Sequence, residues 1–138
     1  MTAKEYLEQI KTLEHKIYCM RLRSDEYDRL SLSIPGGNFD NDMPHSPNRN
    51  SEAPFIKWIY KKMEIDQEIK KLEEELKNLK AEAFLKIESL ENEDYKMVLI
   101  MRYIKGMTWD QIAVKMYISR RTAIRWHGLA LESMKVGT

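Results

Sequence analysis

The sequence predicts an all-α protein: a long helical hairpin or coiled-coil arm followed by a C-terminal helix-turn-helix domain. Three observations predict this. Apolar residues recur at alternating steps of three and four over two long segments. All four prolines and a Gly-Gly pair fall between those segments. From about residue 90 onward the pattern becomes dense apolar blocks punctuated by helix-capping residues. The composition agrees: 43% hydrophobic and 33% charged, with five glycines in 138 residues, suits helices better than a β-sandwich. A chain of this length is one domain's worth of protein, or one small domain plus an extended arm, and is too short for most multi-domain enzymes.

The first element, over 3–30, carries Tyr6, Ile10, Leu13, Ile17, Met20 and Tyr27 on one narrow stripe, as a coiled-coil seam requires. Residues 31–54 hold Pro35, Pro44, Pro47, Pro54 and Gly36-Gly37, and 16 of the 24 are Gly, Pro, Ser, Asn or Asp. Few side chains there offset the entropy of ordering, so a flexible linker is expected, in which only Phe39, His45 and Arg49 offer ligand chemistry. The next element, 55–90, places Ile65, Ile69, Leu72, Leu76, Leu79 and Ala83 at heptad spacing among Lys and Glu. Such a seam needs a partner, either the first helix folded back antiparallel or another copy of the chain.

Residues 91–138 form the expected head. Tyr95, Val98, Leu99, Ile100, Met101, Tyr103 and Ile104 demand burial on more than one face, and Gly106 suits a helix stop with positive φ. Thr108 and Gln111 have capping-box spacing, so a short helix begins at Trp109 and buries Ile112, Ala113 and Met116. Ser119 is a preferred N-cap for a last helix over 120–134. A short helix, a turn of about three residues and a Ser-capped helix make the helix-turn-helix pattern.

Charge is distributed unevenly although the formal net is only +1. Residues 1–94 contain 15 Lys/Arg against 20 Asp/Glu, a net of −5, and residues 95–138 contain 8 against 2, a net of +6. On the last helix Ala123, Trp126 or His127, Ala130, Leu131 and Met134 read as the inward face, and Arg121, Thr122, Arg125, Gly128 and Leu129 as the outward one. Taken singly, each arginine is ordinary solvated charge. Three within six residues, directly after a Ser cap and opposite the apolar face, are what a recognition helix needs. Arg121, Thr122 and Arg125 are therefore the candidates for base edges in double-stranded DNA, and Arg120, Ser119, Thr108, Arg102, Lys105 and Lys115 for phosphates.

Other chemistries find little support. Cys19 is the only cysteine, and His15, His45 and His127 are scattered, so neither a metal site nor a disulfide framework is expected. No nucleophile with a base, paired acid and base, or Gly-rich phosphate loop is discernible, so the expectation is not an enzyme and no cofactor. The longest apolar run, Met97 to Met101, is far short of a membrane span. A cytoplasmic protein without membrane attachment is expected.

These residues carry a resemblance. From Leu90-Glu91-Asn92-Glu93 through Arg102-Tyr103-Ile104-Lys105-Gly106 and Thr108-Trp109-Asp110-Gln111-Ile112-Ala113 to Ile118-Ser119 and Thr122, the last third of the chain resembles the promoter-reading region 4 of bacterial sigma factors. The whole chain, with its charged arm, Pro/Gly interruption and Ser119-Arg120-Arg121 to His127-Gly128 ending, is similar to RinA/ArpU-type phage late-transcription regulators. That resemblance implies a phage or prophage activator of late genes in a bacterial host; the heptad-patterned arm is expected either to make the chain a homodimer or to contact host RNA polymerase. A small terminase-like packaging component and a sigma-mimicking interaction factor are the alternatives. Two departures stand out: Met116-Tyr117 replaces the usual Leu-Gly before Ile-Ser, and Glu91 stands where sigma domains carry Pro. A positive φ at Tyr117 costs roughly 1 kcal/mol or more, so the turn has reason to differ.

Overall fold

The computed structural model describes residues 1–32 and 53–134, and the described residues are helical without strands. The expected linker over 31–54, with Phe39, His45 and Arg49, lies outside them apart from its ends. The elements are α1 (Ala3–Leu32), α2 (Ala53–Glu88), α3 (Glu93–Leu99) continuing into a π-helical turn (Ile100–Ile104), α4 (Trp109–Met116) and α5 (Arg120–Ser133). They divide into two compact units, Met1–His15 with Glu74–Thr138, and Lys16–Glu73.

In the Lys16–Glu73 unit, α1 and α2 of the same chain run antiparallel. Ile17 and Met20 from α1 and Ile65, Ile69 and Leu72 from α2 are buried, so the heptad seam is covered intramolecularly. The Tyr27 and Trp58 rings stack 5.7 Å apart, and Arg21 pairs with Glu73. One polar group interrupts the seam. Ser24 is buried, donates its hydroxyl to Asp66 Oδ1 at 2.5 Å and accepts from Lys62 Nζ at 2.9 Å, while Lys62 pairs with Asp66 Oδ2 at 3.1 Å. A satisfied polar cluster inside an apolar seam defines register, because sliding either helix leaves Ser24 buried and unpaired.

The other unit has two apolar clusters. In the larger, Tyr6, Leu7 and Ile10 from α1 and Ala83, Ile87 and Leu90 meet Leu99, Tyr103, Ala130 and Met134. Glu14–Lys80 at 2.7 Å and Tyr6 Oη donating to Glu82 at 2.6 Å flank it. The smaller joins Met101, Ile112 and Ala123, with Met97, Met107, Trp109, Met116 and Ile118 packed around them. The larger cluster thus joins residues from the start of α1 and the end of α2 to those of α3–α5.

Local chemistry explains the helix limits. Asn92 caps α3 by accepting from the Asp94 and Tyr95 amides at 2.8 and 3.2 Å. The π turn closes with Lys105 N–H on Ile100 C=O at 2.9 Å, and Gly106 at φ +67 lets Met107 N–H reach Met101 C=O at 2.9 Å. The capping box is complete: Thr108 Oγ1 accepts from the Gln111 amide at 3.2 Å and Gln111 Oε1 from the Thr108 amide at 2.9 Å. Ser119 accepts from the Thr122 amide at 3.0 Å to open α5. α3 and α4 both pack on α5, where Ala123 and Ala130 are fully buried and small enough for close approach.

The residues between α4 and α5 depart from the sequence argument about strain. Tyr117 is the left-handed residue, at φ 59 and ψ 42, and Ile118 N–H returns to Ala113 C=O at 3.0 Å. The glycine-type turn survives without glycine. The closing hydrogen bond and the packing of Ile118 beside the smaller cluster hold it in place.

Candidate functional site

The outward face of α5 is built by elimination. Ala123 and Ala130 point into the core and Trp126, His127 and Leu131 are half-buried, which leaves Arg121, Ile124, Arg125, Gly128 and Leu129 exposed on the side away from the core. Arg121 and Arg125 stand one turn apart, roughly 6 Å along the axis. Among the described residues neither has an ion-pair partner, whereas Arg120 lies 3.7 Å from Asp110 of α4. Lys105 and Lys115 are also exposed. A shallow hollow beside the start of α5 is lined by Arg120, Arg121 and Ile124.

The remaining sequence-selected residues are engaged in holding this face. Ser119 caps α5 and donates its hydroxyl to Thr122 Oγ1 at 2.8 Å, so both hydroxyls already have a partner. Thr108 caps α4. Arg102 is half-buried; its guanidinium sits 4.3 Å over the Trp109 ring and donates to Met107 C=O at 3.1 Å, fastening the 105–108 loop to α4. Arg102 is thus apart from Arg121 and Arg125 in role: it positions α4, and they project outward.

Behind the face lies an aromatic group. His127 meets Trp109 edge-on at 4.9 Å and Tyr103 at 5.6 Å, with Nε2 2.7 Å from the Tyr103 hydroxyl. Burial, aided by the positive charges of Arg102, Lys4 and Lys11, pushes the imidazole down to about 4. Burial, with the Glu8 carboxylate, pushes the Tyr103 phenol up to about 12. The phenol therefore stays protonated and the ring neutral at ordinary pH, and the imidazole tautomer sets which of the two donates. Lys11 lies 5.9 Å from the centre of the Tyr103 ring and its ammonium is held below the usual range, first by burial and then by Arg102.

Among the described residues no group of three or more His, Cys, Asp or Glu could hold a metal ion. No described helix is long and apolar enough to cross a membrane. The arrangement provides directional donors for an anionic or acceptor-rich partner, carried on a helix whose other side is locked into the core.

Sequence reasoning passed over Ile124 and Lys11. Ile124 follows Arg121 by three residues and precedes Gly128 by four, so helical spacing alone puts it on the exposed face. Lys11 carried no local signal, because its neighbours come from distant parts of the chain.

One family model matches residues 37–135, which is 99 of the 138 residues and takes in α2 through α5. The chain belongs to the family described as Protein of unknown function (DUF722). No curated protein and no solved structure matches it.

Proposed function

We propose that this DUF722 member is a sequence-specific DNA-binding transcription regulator that inserts α5 into the major groove. The observation that carries the reading is the outward face of α5. Arg121 and Arg125, exposed and without ion-pair partners among the described residues, follow a Ser-capped helix start on the side opposite Ala123 and Ala130. Bidentate guanidinium donors one turn apart suit guanine edges, and Lys105, Lys115 and Arg120 supply charge for phosphates. α4, the turn at Tyr117 and α5 then act as a helix-turn-helix, in keeping with the sigma-like sequence pattern.

The reading extends to a homodimer, and to the late-gene setting that the RinA/ArpU resemblance implies. Genomic footprinting of the tagged chain in its host is expected to find sites upstream of phage structural or lysis genes. The direct test is an equilibrium titration of the full chain against duplexes selected from a random pool. Binding is expected to weaken steeply with salt, and Arg121→Ala or Arg125→Ala to relax base preference by about 1–3 kcal/mol per lost contact. Unchanged affinity and specificity in both variants would sink this assignment.

A further inference from the structure

Ile124 is a large apolar side chain that belongs to neither apolar cluster of its unit. Its neighbour Ala123 is fully buried, and Ile124 itself is 42% exposed, set between Arg121 three residues before, Arg125 one after and Arg120 four before. With Arg120 and Arg121 it forms the shallow hollow at the start of α5. A β-branched residue at an exposed helical position is a poorer helix former than Ala, Lys or Glu, so neither packing nor propensity accounts for it. One turn further along the same face is Gly128. A Cβ built there meets nothing within 4 Å, so the chain's own packing does not require a glycine either. Gly at a helix interior still lowers stability relative to Ala. Two residues on one face are thus unexplained inside the molecule: one adds apolar surface among cations, the other removes bulk.

Both are explained by a partner that is anionic at its edges, apolar at one point and approaches closely. Duplex DNA has that chemistry in the major groove, where the C5-methyl of thymine is the apolar feature among acceptors and donors. We propose, resting on the major-groove reading above, that Ile124 is a specificity-determining residue that packs on a thymine methyl beside the bases read by Arg121 and Arg125, with Gly128 giving the room for that approach. Arginine forks select guanine; Ile124 adds selection for thymine next to it through shape and dehydration.

The test replaces each thymine of a duplex selected by the full chain, one at a time, with deoxyuridine, which removes only the methyl and leaves base pairing intact. For the wild-type chain one replacement, next to a guanine, is expected to weaken binding about 3–5-fold, the range for dehydrating one carbon's worth of surface. Ile124→Ala is expected to weaken binding to the thymine duplex by a similar factor and to abolish the difference between thymine and deoxyuridine there. Circular dichroism should be unchanged because the side chain is outside the core. A selected duplex in which no replacement matters, or an Ile124→Ala chain that keeps the full deoxyuridine penalty, overturns the inference while leaving DNA binding intact. Failure to select any duplex overturns the DNA-binding reading itself.

Discussion

Two residues have properties measurable one at a time. Tyr117 takes the left-handed conformation at φ 59 with its side chain 94% exposed, so it bears the steric cost of that region and recovers little by burial. Tyr117→Gly removes the clash, and although glycine also enlarges the unfolded ensemble, a net stabilisation of about 0.5–1 kcal/mol is expected in urea denaturation. A loss of stability would mean that the exposed ring has contacts that outweigh the strain. His127 supplies a pH dependence. Its imidazole is pushed down to about 4 from 6.5 when folded, by burial first and then by Arg102, Lys4 and Lys11. Between those values the unfolded chain takes up a proton that the folded chain refuses, so this contribution is complete above pH 6.5 and is lost as pH falls toward 4. Allowing for partial exposure of the ring, the loss is on the order of 1–2 kcal/mol. His127→Phe keeps a ring against Trp109 but removes the titration, so the fall in stability from pH 7 to 4.5 should be smaller in the variant. Equal falls in the two chains would assign the acid sensitivity to carboxylates.

At the scale of elements, the α3–α5 head is completed by the opposite end of the sequence. Leu7 and Ile10 are fully buried and share a cluster with Leu99, Tyr103 and Ala130. Leu7→Ala in the full chain is expected to cost 2–5 kcal/mol, in the usual range for a large-to-small core change. Because the contact is to the head, hydrogen exchange at α5 amides should accelerate with it; fast exchange confined to α1 would detach the two. The limits of α4 and α5 were legible in the sequence because Thr108, Gln111 and Ser119 act over three residues, and so was the seam of α2, because a heptad is a local repeat. The docking of α1 on the head was not, since Leu7 and Tyr103 are linked by no periodicity that crosses the intervening chain. The π turn was equally hidden. It changes the hydrogen-bond register by one residue within an unbroken apolar block, and only Gly106 signalled that the helix had to end. The cationic face of α5 was legible from spacing, but separating Arg121 and Arg125 from Arg102 required seeing the Arg102 guanidinium on Trp109.

For the molecule as a whole, the question is what surface a second copy would use. Pairing of α2 with α1 inside one chain buries Ile65, Ile69 and Leu72, so of the two partners expected for the seam, α1 folded back takes this part of it. Another stripe remains on the α2 part of the Lys16–Glu73 unit: Ile56, Ile59, Tyr60 and Met63, at steps of three, one and three, are 44, 46, 61 and 54% exposed. Apolar side chains grouped on one helix face mark an association surface more often than isolated ones do. The charges beside the stripe suit self-pairing. With two copies of α2 antiparallel about a two-fold axis between Tyr60 and Lys61, the exposed Lys57 of one copy comes opposite the exposed Glu64 of the other, and the same pair forms again across the axis. The proposed homodimer is therefore expected to use this stripe, with apolar burial supplying affinity and the charge pairs supplying register. Sedimentation of the full chain should give twice the chain mass. Ile59→Glu with Met63→Glu should give a monomer of unchanged helix content. Lys57→Glu alone should weaken association, because it sets like charges opposite each other twice, and adding Glu64→Lys should restore it by exchanging the partners. A wild-type monomer, or a double charge swap that fails to recover what Lys57→Glu loses, would remove the stripe as the dimer surface.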